Sequence, residues 1–407
     1  MLPLVLLRLV LRARKQPEYL RHIGERFGFY PLSCDKPVIW LHTVSVGETR
    51  AAASLVARLR AAYPDHQILL THTTPTGREA GELLYKDQVM RVYLPYDYPF
   101  AVRRFLRRFR PRLGILMETE IWFNLIHEAH SAGIPMLLVN ARMSEKSARG
   151  YARFPSLTSG ALSSLDWVAA QTADDAGRLA ALGAVRMSVM GNLKFDIAAS
   201  DAMLELGQLL RRKFGASRRI FLAASTREGE EALLLDAWQK ADMKDVLLVL
   251  VPRHPQRFDE VAAMLERRGM SCQRRSANAD VPAQIQVVLG DSMGEMFAYY
   301  AACDIAFIGG SLLAFGGQNL IEACSVGAPV LIGPHTYNFA DASRLAVEAG
   351  AAIQVEDAAA LVDAAKKLLD DRAALDAMKK SGIGFVASHR GATDKAMAVI
   401  DSMSRLN

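Results

Sequence analysis

Short, continuous apolar runs alternate along the chain with longer amphipathic stretches. In the first half the runs predict strands at Val38–His42, Ile68–Thr71, Val92–Pro95, Leu113–Met117, Met136–Asn140, Trp167–Gln171 and Ser188–Met190. In the second half they predict strands at Ile220–Ala224, Val246–Val251, Ile285–Leu289, Ile305–Ile308, Val330–Ile332 and Ala352–Val355. Runs rich in Val, Ile and Leu without alternation suit strands covered on both faces. Strands separated by helix-length segments call for parallel sheets joined by right-handed crossovers. The expected architecture is α/β: two Rossmann-like doubly wound domains facing one cleft. A polar, basic stretch with Arg211, Arg212, Lys213, Arg218 and Arg219 separates the two sets. The expected divisions are a segment 1–30, a first domain 31–200, a linker 201–217, a second domain 218–385 and a C-terminal helix 386–407 that packs back on the first domain.

Composition narrows the class. Of 407 residues 51% are apolar and 23% charged, which excludes a disordered chain. Net charge is +6, too mild by itself to point to nucleic acid. Cys34, Cys272, Cys303 and Cys324 stand singly, without the spacing of a zinc site or a disulfide framework, so a reducing compartment fits. Met1–Leu11 is apolar apart from Arg8, and eleven helical residues reach about 16 Å, roughly half a bilayer core. Six Lys/Arg against two Glu between Met1 and Tyr30 make this stretch suit an anchor lying on an anionic leaflet. Six arginines between Arg103 and Arg112 interleave with Phe105 and Phe109, a face that suits phosphate groups or the same leaflet.

Ligands of open parallel sheets bind beyond the carboxyl ends of the strands, so the segments after each run carry the candidate chemistry. After the first comes His42-Thr43-Val44-Ser45-Val46-Gly47-Glu48. Glu48 would fall in the first turn of a helix, where the dipole favours its ionised form and a carboxylate can accept a proton from a hydroxyl. Thr73-Thr74-Pro75-Thr76-Gly77 reads as an N-capping loop or an anion or sugar cradle. Glu118 and Glu120, two apart on an extended segment, would share a face. No Asp-x-Asp motif accompanies them, so a cation is not demanded. In the second half, Val251-Pro252-Arg253 sets an arginine at a strand end, suited to a phosphate. Gly290 to Met296 and Gly309-Gly310-Ser311 are glycine-punctuated loops. Gly316-Gly317-Gln318-Asn319-Leu320-Ile321-Glu322 offers free N–H groups at a helix start for a phosphate, and an acid one turn inside for a ribose.

The second-half glycine loops with Asn319 and Glu322 resemble the donor site of a GT-B glycosyltransferase. With HTVSVGE, TTPTG, YLPYD, ETEIW, NARMSEKSARGY, GNLKFD, VPRHP, MGEM and GGQNLIEA in this order, the whole chain resembles the lipid A Kdo (3-deoxy-D-manno-octulosonic acid) transferase family of lipopolysaccharide assembly. The resemblance implies transfer of Kdo from CMP-Kdo to the tetraacylated lipid A precursor at the cytoplasmic side of the inner membrane. It implies inversion in one displacement, with neither a divalent metal nor another cofactor and with no nucleic-acid partner. Glu48 matches the general base. Pro252, Arg253, Gly294, Glu295, Met296, Asn319, Leu320, Ile321 and Glu322 match segments that bind CMP. Ser45, Gly47, Thr74, Gly77, Glu118, Glu120 and Lys194 are candidate acceptor or sugar contacts. Arg227 and Gln318 stand where relatives usually carry His, and Phe123 where Pro is usual. Two other readings compete: a soluble sugar-nucleotide epimerase of the same fold, and a basic peripheral protein that only binds anionic lipid.

Overall fold

A computed structural model describes residues 9, 11–14 and 16–403. The chain forms two compact units, one running to Asp196 and resuming at Arg390, the other spanning Ile197–His389. Among the described residues no helix is long and apolar enough to cross a membrane. Most of the apolar stretch Met1–Leu11 lies outside the described residues.

The first unit holds strands β1 (Val38–His42), β2 (Gln67–His72), β3 (Met90–Tyr93), β4 (Pro111–Met117), β5 (Met136–Ala141), β6 (Trp167–Ala170) and β7 (Met187–Val189). All pair in parallel, in the order β3-β2-β1-β4-β5-β6-β7. The side-chain period of two splits β1 between two cores. Val38 and Trp40 pack with Phe105 and Phe109 on one face, whereas Ile39 and Leu41 pack with Leu55 and Leu59 on the other. Burial on both faces is why no alternation shows in the sequence. The arginine-rich stretch is helix Pro99–Phe109, which buries Ala101, Val102, Phe105, Leu106 and Phe109 at helical spacing and turns its arginines outward. Helix Ala392–Asp401 belongs to this unit and inserts Ala396, Met397 and Ile400 into the second core. The Asp196 carboxylate fixes its start by accepting from the N–H of Gly391 at 2.7 Å and of Thr393 at 2.5 Å.

The second unit holds β8 (Arg219–Thr226), β9 (Val246–Pro252), β10 (Cys272–Arg274), β11 (Val287–Leu289), β12 (Ile305–Ile308), β13 (Val330–Ile332) and β14 (Ala352–Gln354). They too are all parallel, in the order β10-β11-β9-β8-β12-β13-β14. Two expectations change here. Residues 201–217 are not a linker: Ser200 caps helix Asp201–Phe214, which packs Gly207 against Ala298 and Ala301 of helix Met296–Ala302. Strand β10 was not foreseen, because Cys272-Gln273-Arg274 is a short, half-buried sheet edge with no apolar run to betray it.

Candidate active site

Each sheet reverses its winding direction beside its first strand, at β1/β4 and at β8/β12, and such switch points open a crevice at the carboxyl ends of the strands. In the first unit the segments leaving β1 and β4 carry Glu48, Glu118 and Glu120. Ser45 caps helix Val46–Ala51 and accepts from the Glu48 N–H at 3.3 Å, while the Glu48 carboxylate reaches back to the Val44 N–H at 2.9 Å and the Ser45 hydroxyl at 2.8 Å. This is a capping box, which fixes the carboxylate at the sheet edge without a basic partner in these contacts. Thr74 supports it from the next strand: its hydroxyl donates to the Val44 carbonyl at 2.9 Å and accepts from the Gly77 N–H at 3.1 Å. A side chain on Gly77 would meet that carbonyl at 2.8 Å, so only glycine lets the two loops close together.

Glu118 and Glu120 do not lie on an extended segment. The strand ends at Met117, and Glu118 turns into the left-handed region at φ 57°. A non-glycine residue there is held by its surroundings. Its N–H donates to the Val139 carbonyl at 3.1 Å, and its carboxylate lies 3.7 Å from the Lys194 ammonium. Lys194 is delivered by the turn Leu193–Phe195, anchored through the Leu193 N–H on the side chain of Asn140 at 3.0 Å. Burial raises the Glu48 pKa above the usual carboxylate range; the Val44 N–H opposes this and the charge of Glu118 adds to it. Burial, then Glu48, push Glu120 up to about 7, against the indole N–H of Trp122 that donates to it at 2.7 Å. His42, behind Glu120 at 3.9 Å, is fully buried and its pKa falls to about 3, so the ring is neutral and supplies no countercharge. The edge therefore combines the buried Glu48 carboxylate, the Glu120 carboxyl that titrates near neutrality, and Glu118 beside Lys194. A proton can be taken from a hydroxyl there at neutral pH.

In the second unit, β8 and β12 end in Ser225-Thr226-Arg227 and Gly309-Gly310-Ser311. A Cβ on Gly309 would come within 2.5 Å of the Ser225 carbonyl, so the two strand ends touch backbone to backbone. Arg253 leaves β9 with its N–H on the Thr226 carbonyl at 2.9 Å and its guanidinium on the Gln318 side chain at 3.3 Å. The Arg227 guanidinium stacks 4.4 Å from the Phe315 ring. Burial, then the charges of Arg227, Arg253 and Arg257, lower the pKa of His254, which marks this edge as electropositive. Asn319 caps helix Leu320–Ser325 and donates to Glu322 at 3.1 Å. Glu295, at the start of helix Met296–Ala302, is held by Ser292 at 2.7 Å and Arg275 at 3.3 Å.

Residues 21–197 match the family model described as 3-Deoxy-D-manno-octulosonic-acid transferase (kdotransferase), and residues 234–384 match Glycosyl transferases group 1. The 3-deoxy-D-manno-octulosonic acid transferase of Bordetella pertussis is 46% identical over 375 residues, 89% of this chain and 86% of the relative. That of Haemophilus influenzae is 38% identical over 405 residues, 98% of this chain and 95% of the relative. The chain belongs to the Kdo transferase family. Two solved structures share the fold. A glycosyltransferase from Rickettsia africae matches with TM-score 0.58 at 13% identity, covering 90% of this chain and 98% of that one. The UDP-GlcNAc 2-epimerase of Neisseria meningitidis, bound to UDP-GlcNAc, matches with TM-score 0.59 at 16% identity, covering 90% of this chain and all of that one. Fold alone does not separate transferase from epimerase. The sequence relatives do, and the enzyme is a glycosyltransferase.

Within this Kdo transferase the first-unit candidates converge, but several are occupied by one another. Ser45 and Thr74 cap helices, and Gly77 packs against Val44. Gly47 has room for a side chain, with only the Ser45 hydroxyl at 3.7 Å. In the second unit the expected free N–H groups near Gln318 are not free. The Gln318 N–H bonds the Gly309 carbonyl at 3.1 Å, and the Ile321 N–H bonds the Asn319 side chain at 3.1 Å. Leu320 and Ile321 are buried, so neither offers a side chain at this edge. Gly294 adopts φ 79° with open space where a side chain would be. One organising residue escaped the sequence. Buried Glu230 accepts from the N–H groups of Arg227 at 2.8 Å, Gly310 at 2.6 Å, Leu312 at 2.9 Å and Leu313 at 3.4 Å, tying the β8 and β12 loops together. Its only sequence signal is an acid at a helix start, which is commonplace.

Proposed function

We propose that this Kdo transferase takes the sugar from CMP-Kdo and transfers it to a hydroxyl of the tetraacylated lipid A precursor at the inner-membrane surface, in lipopolysaccharide assembly, with Glu48 as general base. The observation that carries the assignment is the Glu48 carboxylate, buried, above its ordinary pKa and locked in a capping box at the first unit's switch point. In the displacement Glu48 removes the hydroxyl proton as the oxygen attacks the anomeric carbon, and the bond to the phosphate breaks with its electron pair leaving on CMP. Inversion follows from the single step. Lys194, 3.7 Å from Glu118, supplies positive charge beside a site that receives an anionic sugar. In the second unit Arg253 and the Asn319–Glu322 turn would take the phosphate and ribose, with Pro252 and Gly294 to Met296 beside them. The family resemblance and the electropositive edge support that part.

Glu48→Gln tests the base. Glutamine also serves the third position of a capping box, so the helix start survives. Transfer of Kdo from CMP-Kdo to the tetraacyl acceptor, followed by mass spectrometry, is expected to fall at least about a hundredfold, the low end of general-base contributions. CMP affinity is expected to stay within about twofold, since the nucleotide contacts are elsewhere. Transfer at the wild-type rate would remove Glu48 from the role.

A further inference from the structure

A cavity of about 600 Å³ opens on the first unit at the amino-terminal ends of β4 and β5, away from the edge that carries Glu48 and Glu118. From Arg112 to Glu118 the strand advances roughly 20 Å at about 3.3 Å per residue, so this is a separate place. Its lining combines Arg107, Arg110 and Arg112 with Leu106, Ile134 and Pro135. Among the described residues none of the three arginines has a carboxylate in ion-pair contact. Two acids on neighbouring elements are engaged elsewhere: Glu128 takes a two-pronged bond from Arg103 at 2.7 and 2.8 Å, and Asp166 accepts from the Met136 N–H at 2.9 Å. Arg110 closes helix Pro99–Phe109 in the left-handed region, φ 44°, where glycine is the usual residue.

The surroundings say what kind of anion fits. Arg103, Arg104, Arg107 and Arg108 line the outer face of the same helix. Beside them Phe29, Leu32 and Phe100 are 58%, 43% and 44% exposed. The Arg104 guanidinium lies 4.3 Å from the Phe29 ring and 5.5 Å from the Phe100 ring, and Arg108 donates to the Leu32 carbonyl at 2.8 Å. Exposed aromatic and aliphatic side chains interleaved with arginine are the composition of a surface that lies in the headgroup region of an anionic bilayer. A freely soluble phosphate would have no need of the apolar border or the apolar cavity floor.

We propose that the Arg107–Arg110–Arg112 cavity binds the phosphate of an acidic phospholipid headgroup, so that the outer face of helix Pro99–Phe109 lies against the membrane. The proposal rests on the reading of a membrane-borne acceptor and adds to it the surface and the lipid class.

The full-length chain is tested by sedimentation with vesicles of phosphatidylcholine, with or without phosphatidylglycerol. Three variants accompany it: R107A/R110G/R112A, whose glycine suits the left-handed cap; R107K/R110K/R112K; and a charge-matched control, R212A/R267A/K380A, changed at exposed positions elsewhere. Wild type is expected to favour phosphatidylglycerol vesicles, the first variant to bind them at least about tenfold more weakly, and the control to change less than about twofold. The lysine variant keeps the charge but loses the planar fork, and is expected to weaken about threefold or more. Lysine binding equal to wild type would mean diffuse attraction and no headgroup site. Unchanged binding by the first variant would also overturn the site, leaving the membrane reading intact. Wild type that binds vesicles without preferring phosphatidylglycerol overturns the site alone, and wild type that binds neither vesicle overturns both.

Discussion

Burial, with the charges of Glu48 and Glu118 adding to it, raises the Glu120 pKa from 4.5 to about 7, the largest shift at this edge. A carboxyl raised on folding binds its proton more tightly in the native state, so stability is fullest below pH 4.5 and declines as pH rises towards 7. A shift of that size corresponds to about 3 kcal/mol for this mostly buried group. Glu120→Gln removes the charge and keeps an oxygen for the Trp122 indole. Its melting temperature is therefore expected to match wild type at pH 5 and exceed it at pH 8; an equal loss at both pH values would contradict the electrostatic account. On the other unit, Arg253→Ala is expected to weaken CMP binding by about 1.5–3 kcal/mol, the size of a charge-assisted hydrogen bond, as read by calorimetry. The candidate chemistry of single residues was legible where chemistry is local: an acid a few residues after a strand end announces a carboxylate in the first turn of a helix, while its capping box with Ser45 emerged only from the structure. The raised pKa values were not, because they depend first on burial and then on which carboxylates the fold brings near.

At the scale of elements, supporting contacts rather than catalytic side chains shape both edges. Thr74 joins two loops through one hydroxyl, capping its own helix and holding the carbonyl of Val44, whose N–H holds Glu48. Thr74→Val is expected to cost about 1–2 kcal/mol, the range of lost helix caps, and to lower turnover without changing CMP affinity. A stability loss with turnover intact would limit Thr74 to capping. In the second unit Glu230→Gln sets an amide against four N–H donors that a carboxylate satisfies. The β12 loop carrying Gly310 should loosen and CMP affinity fall about tenfold, while far-ultraviolet circular dichroism stays native. Wild-type CMP affinity would show that the loop keeps its shape without this acid. The strand ladder itself was foreseen to within about two residues at most positions, because both faces are buried and the apolar runs are long. Strand β10 and helix Asp201–Phe214 were missed, the one for want of apolar length and the other because its charged face outweighed a narrow apolar stripe of Gly207, Leu210 and Phe214.

For the molecule as a whole, the last helix belongs to the first unit although the entire second unit intervenes in sequence. Ile400 is fully buried among residues of β1, β2 and helix Ala53–Ala62, and Tyr63 donates to Asp401 at 2.6 Å. Ile400→Ala is expected to destabilise the first unit by about 2–5 kcal/mol, seen as an earlier urea transition of that unit. An unchanged transition would mean that the helix is not part of its core. The sequence alone determined the α/β class, the two sets of parallel strands, the segments that follow each strand and, through nine ordered motifs, the family. All of these are written in nearest-neighbour patterns and spacing. Only the tertiary structure decided the strand order that puts β1 beside β4 and β8 beside β12. It alone brought Lys194 to Glu118, set Glu230 under two loops and, among the described residues, left Arg107, Arg110 and Arg112 without an ion-paired carboxylate, since each depends on contacts between residues distant along the chain.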